Sequence, residues 1–146
     1  MAPQTTSLVF LQYLTTVFDN ITDAIVLIGI EKKGFRLLLA NNAFFANTGY
    51  PPDSIGKLMS EIAVPDVYRF ISKQYKKAIK TKQPIECSYW GEMPRGKRAY
   101  TVKAIPVLNT VGEPVQLAVV VRDVTEWTNM QAELERLNTK LGEKKQ

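Results

Sequence analysis

The stretch that decides the fold is Pro114-Val115-Gln116-Leu117-Ala118-Val119-Val120-Val121-Arg122-Asp123-Val124-Thr125-Glu126, which runs straight into WTNMQAELERLNTKL at residues 127–141. Residues 115–121 form a continuous β-prone run. From Trp127 onward the apolar residues are Trp127, Met130, Leu134, Leu137 and Leu141, spaced three, four, three and four apart. The first pattern is a core strand and the second the a/d seam of an amphipathic helix, so a strand feeds directly into a helix that leaves the domain. The seam covers only about two heptads, which leaves two readings open: a short coiled coil, or a helix folding back on its own domain. Leu117, Val119 and Val121 alternate with Ala118 and Val120. A strand that is apolar on both sides implies that the outer face of the sheet is covered too, by an N-terminal helix or a second subunit. Asp123 is placed to cap the outgoing helix with Glu126 three residues on, and Thr125 is an equal candidate.

Upstream, AYTVKAIPV (99–107) and IECSYW (85–90) complete a three-strand meander, with loops expected over 109–114 and 91–97. Alternation turns Ile85, Cys87 and Tyr89, and likewise Tyr100, Val102 and Ala104, toward the interior. Before them, Val67, Phe70, Ile71, Tyr75, Ala78 and Ile79 make the apolar face of the longest internal helix, with Arg69, Lys73, Lys76, Lys77 and Lys80 mostly opposite. Residues 41–50 are too short and polar for a long helix and give one or two turns closed by Gly49; another turn spans 52–55 and stops at Gly56. DAIVLIGI (23–30) and FRLLLA (35–40) form a hairpin. Phe10, Tyr13, Leu14, Val17 and Phe18 mark a short amphipathic helix capped by Thr6 or Ser7, after a frayed lead-in over 1–6. This order predicts an α+β domain: an antiparallel sheet with its helices segregated to one side.

Composition removes several functions. The 146 residues suit one module, and the chain contains one cysteine and no histidine. Without imidazole, zinc sites and histidine-dependent catalytic triads are excluded. No paired nucleophile and base and no glycine-rich phosphate loop is present, and GEMPRG (91–96) joins two strands instead of a strand and a helix. The chain on its own is therefore read as noncatalytic and without a metal site. A net charge of +5 raises a nucleic-acid partner. Lysines at every third or fourth helical position, however, describe a solvated face, and no recognition motif accompanies them. Neither a membrane span nor a secretion signal is evident, so no membrane partner and a cytoplasmic location are expected.

The run LLLANNAFFANTGYPPDSIGK and the ending IPVLNTVGEPVQLAVVVRDVTE together resemble a PAS domain, a sensor module of bacterial signalling proteins. Asn41, Ala43-Phe44, Gly49-Tyr50, Gly56, Pro106, Gly112 and Asp123-Val124-Thr125 match that pattern in order. The resemblance implies a five-stranded antiparallel sheet with short helices and one long helix on one face, enclosing a pocket, and flanked here by terminal amphipathic helices. The organisation is then an N-terminal helix over 1–20, the sensor domain over 21–126 and a C-terminal linker helix over 127–146.

The pocket candidates are Phe44, Phe45, Phe70, Tyr75, Cys87, Tyr89, Tyr100 and Val119; the bland alternative is that these aromatics are packed core. Haem bound through histidine is excluded. Photoactive covalent flavin is not expected, because no Asn-Cys-Arg motif exists and Cys87 lies on a strand, so no cofactor is assigned. The family pattern implies that Asp123 and Thr125 relay a signal from the last strand into the outgoing helix. Trp127, Met130, Leu134, Leu137 and Leu141 would then pair two copies, and the output would pass to an effector such as a histidine kinase or a diguanylate cyclase. A ligand-free protein-interaction module is the alternative.

Overall fold

The computed structural model describes residues 2–144, and side chains over 8–142. In chain order the elements are α1 (Ala2–Asn20), β1 (Ala24–Glu31), β2 (Gly34–Ala40), α2 (Asn42–Thr48), a 3₁₀ turn (Pro52–Ser54), α3 (Met59–Ile62), α4 (Pro65–Thr81), β3 (Ile85–Met93), β4 (Gly96–Leu108), β5 (Pro114–Asp123) and α5 (Thr125–Lys144). The five strands form one antiparallel sheet in the order β2-β1-β5-β4-β3. The expected α+β architecture is present.

The sheet is closed at its centre by a pairing that joins the two ends of the domain. Ala24 lies opposite Val121 and Gly29 opposite Gln116. β1 therefore begins at the same sheet end at which β5 stops, and an ion pair of 3.0 Å between Asp23 and Arg122 ties the two there. Both terminal helices leave from this end.

Local chemistry sets the helices. Asn41, extended at φ −85°, caps α2 by accepting the Phe44 N–H, and Gly49 ends it in the left-handed region at φ 83°. Pro65 opens α4 at a position that needs no N–H. The faces of α2, α3 and α4 that look at the sheet bury Phe44, Met59, Val67, Ile71, Tyr75 and Ala78 against Val26, Ile28, Leu37, Val102 and Leu117. Full burial of an aliphatic side chain of this size stabilises by about 1.5–3 kcal/mol, so the layer contact dominates over propensity.

Several sequence expectations need correction. α1 starts at Ala2, so Thr6 and Ser7 lie within the helix, and the lead-in over 2–6 is helical; Met1 is outside the described residues. The loop expected over 91–97 shrinks to Pro94-Arg95, because β3 and β4 stay paired as far as Met93 and Gly96. α3 was invisible to periodicity, being only four residues long. α1 does not lie over the outer face of the sheet: it touches α2, and Leu11, Leu14 and Val17 point to solvent. No helix among the described residues is long and apolar enough to cross a membrane.

Candidate functional site

The space between helices and sheet contains a cavity of about 40 Å³. Phe44, Tyr75, Tyr89 and Tyr100 of the expected set line it, joined by Tyr50, Met59 and Met93, which sequence reasoning missed. The other candidates do not reach it. Phe45 packs edge-on to Phe44 at 5.4 Å, Phe70 lies behind Tyr89 at 4.9 Å, Val119 is fully buried core, and Cys87 is half-buried on β3. Burial pushes the Cys87 thiol up, which disfavours the reactive thiolate.

One end of the cavity is shut by the β3–β4 hairpin. The Arg95 N–H donates to Thr48 O at 3.1 Å, the Tyr50 hydroxyl donates to Met93 Sδ at 3.3 Å, and the Tyr100 hydroxyl donates to Asn47 O at 3.2 Å. Gly49 permits this approach, since a Cβ there would stand 2.8 Å from Arg95 N. Burial pushes the Tyr50 and Tyr100 hydroxyls up to about 12, so both are neutral donors at any ordinary pH. No charged side chain lines the cavity. Its volume is far below the roughly 300–1,000 Å³ of ordinary ligand sites, so a flavin or a haem does not fit the space these side chains leave. Among the described residues no three His, Cys, Asp or Glu gather as a metal site.

The second site is the junction between β5 and α5. Asp123 Oδ1 accepts the Thr125 hydroxyl at 2.6 Å and the Thr125 N–H at 3.0 Å, while Arg98 Nε donates to Oδ2 at 2.9 Å. The Thr125 oxygen in turn accepts the Ala99 N–H at 2.8 Å, and Ala99 O accepts the Val124 N–H at 2.9 Å. In place of the capping box expected from Asp123 and Glu126, the first residue of α5 is fastened sideways to β4. Burial raises the Asp123 carboxyl, but the hydrogen bonds from Thr125 and then Arg98 outweigh it and hold the group below the ordinary carboxylate range. Tyr100, one residue beyond Ala99, lines the cavity and pairs with Asp123 across the β4–β5 ladder. Cavity and exit thus share one stretch of β4.

A third polar cluster holds the frame. Asn41 is fully buried; its Oδ1 accepts the Ile25 N–H at 2.9 Å and the Phe44 N–H at 3.2 Å, and its Nδ2 donates to Asp23 O at 3.0 Å. One side chain fixes β1 and α2 to the end of β2.

Beyond the junction, α5 leaves the domain. Trp127, Met130, Leu134, Leu137 and Leu141 are 44–65% exposed along one stripe. The readings of α5 as folding back on this domain therefore find no support in a single copy.

A hairpin, three helices and a meander built into one sheet, with a cavity beneath the helices and an anchored exit helix, define an α+β module of one recurring kind. A family model described as the PAS fold matches residues 18–128, and the chain belongs to that family. PAS domains are sensory, non-catalytic modules. Solved structures agree on the fold. The PAS domain of a protein from Colwellia psychrerythraea is 19% identical with a TM-score of 0.67, the match covering 80% of this chain and 98% of that one. An RNA-binding light-oxygen-voltage receptor is 20% identical with a TM-score of 0.71, over 94% of this chain and 39% of that one. A sensory box histidine kinase/response regulator from Burkholderia thailandensis is 16% identical with a TM-score of 0.61, over 91% of this chain and 98% of that one. No curated protein matches the chain significantly.

Proposed function

We propose that this domain is a cytoplasmic, dimeric sensor that passes a signal through α5 to an effector such as a histidine kinase or a diguanylate cyclase. The observation that carries the reading is the exit: α5 is hydrogen-bonded to β4 at Thr125 and then presents an uncovered a/d seam. A seam of this kind is stable in water only when paired, and a pair of helices with two registers or pitches is a switch that a shifted strand can bias. Similarity to a sensory box histidine kinase supports a kinase-type output. Nucleic acid and membrane are not among the partners proposed, nor is a resident cofactor; the small uncharged cavity supports that last point.

Sedimentation equilibrium tests the reading. The chain is expected to be a dimer at tens of micromolar and Leu134→Glu a folded monomer; a wild-type monomer across that range rejects it. The second reading, a ligand-free interaction module, is favoured by the cavity volume of about 40 Å³. A native mass spectrum of the purified protein separates the two, because a bound mass excludes the ligand-free module.

A further inference from the structure

A concavity outside the core runs along the solvent side of α4. It is an open groove of about 630 Å³, and Ser60 of α3 and Tyr68, Arg69, Ser72, Lys73 and Lys76 of α4 line it. Residues 68, 72 and 76 stack one turn apart, and 69 and 73 form the neighbouring row, so the cations and the serine share one strip of the helix. No carboxylate lines the groove. Asp66 holds one nitrogen of Arg69 at 3.1 Å, whereas Lys73 and Lys76 have no ion-pair partner among the described residues.

Ser72 sets this groove apart from a merely solvated basic face. Thr15, Thr16, Thr48, Thr81 and Thr139 each give their hydroxyl to the carbonyl four residues back in their helix. Ser72 makes no such bond among the described residues, although it is only 7% exposed. No occluded side-chain oxygen lacks a partner, so Ser72 Oγ opens into the groove that the residue lines. A hydroxyl placed this deeply is costly to leave unpaired, and the cations around it select an anion as its partner.

We propose that this groove binds a phosphate group, free or as the ester of a small molecule, with the Ser72 hydroxyl donating to it and Arg69, Lys73 and Lys76 supplying the charge. Binding here involves neither the cavity nor α5. A phosphate carries about −1.5 to −2 charges near neutral pH and three acceptor oxygens, which suits several donors gathered at one place. A carboxylate, with two oxygens and one charge, would leave part of the set unused. A nucleic-acid backbone spreads its charge along a track and would use Lys77 and Lys80, exposed further along α4, as much as Lys73. The β1–β2 turn approaches the groove from one side: a Cβ on Gly34 would stand 3.3 Å from the Tyr68 hydroxyl, and the exposed Lys32 and Lys33 immediately precede that glycine.

Inorganic phosphate and glycerol 3-phosphate test this directly. Each is titrated to about 20 mM into the full chain at constant ionic strength, with chloride as the balancing anion, while the backbone amide resonances are followed. Saturable shifts centred on Ser72 and Lys73 are expected. Ser72→Ala and Lys73→Gln should each weaken binding by about threefold to tenfold, and Lys80→Gln, on the same helix but outside the groove, by less than about twofold. Tighter binding of glycerol 3-phosphate marks an esterified ligand; otherwise the bare ion is the ligand. Shifts that do not saturate, an affinity unchanged in Ser72→Ala, or equal losses in Lys73→Gln and Lys80→Gln would show diffuse attraction to solvated lysines and overturn the proposal. So would a DNA duplex of about 20 base pairs that binds more tightly than either probe and depends equally on Lys73 and Lys80. Amide spectra check folding; if Ser72→Ala does not fold, Lys73→Gln against Lys80→Gln decides.

Discussion

Asp123 has neighbours that favour its charged form in the fold and not in the unfolded chain: the Thr125 hydroxyl and N–H, and Arg98. A carboxyl depressed in this way contributes stability that is fully present above its unfolded value near pH 4 and is lost as pH falls through the lower folded value. Asp123→Asn should therefore be less stable than wild type at pH 7, and the gap should shrink below about pH 4. Urea unfolding at pH 7, 4 and 3 measures it, and a gap independent of pH contradicts the assignment. The residue pattern marked Asp123 and Thr125 only as rival caps of the outgoing helix, and their link to the last strand was what the family resemblance implied. What could not be read was their partner: Ala99 and Arg98 lie some 25 residues away, and only the β4–β5 register brings them alongside.

At the level of elements, the sequence shows strands and the long helix well, since alternation and helical spacing reflect burial on one face. Tyr75, Tyr89 and Tyr100 were found that way, whereas Phe44 stood out through the Ala-Phe pair of the family pattern. Tyr50, Met59 and Met93 escaped because they lie beside turns or in an element too short for a period to appear. GEMPRG misled for a related reason. Gly91 is not a turn residue; it sits within β3, where a Cβ would meet the Tyr89 ring at 2.9 Å and Val67 at 3.1 Å. Gly49 combines both glycine roles, a left-handed backbone and a close approach to the β3–β4 hairpin. Gly56, at φ +92° with open space around it, needs only the first. Gly56→Ala should cost about 1–2 kcal/mol and Gly49→Ala clearly more, because the hairpin must also shift off α2. Equal losses in urea unfolding would show that the hairpin does not press on Gly49.

For the whole molecule, neither the closure of the sheet by β1 and β5 nor the common exit of α1 and α5 was visible in the sequence, since that pairing joins residues nearly a hundred positions apart. Periodicity gives faces, and it does not give neighbours. The terminal helices carry the largest exposed apolar surface of the single copy. Of the large exposed hydrophobics, Phe10, Leu11, Tyr13, Leu14 and Val17 are on α1, and the five seam residues are on α5. Such stripes are unusual on a monomer and mark association surfaces. In the dimer proposed above, a second copy would bring the same two stripes to a twofold contact and cover both at once.

Cysteine cross-linking most directly tests the claim that α5 is the paired output helix. In a Cys87→Ser background, Leu134→Cys places a thiol in the seam and Ala132→Cys places one on the opposite side of the same helix. Under mild oxidation, the account predicts rapid covalent dimers from Leu134→Cys and few from Ala132→Cys; equal cross-linking at the two positions, or none at either, would contradict it.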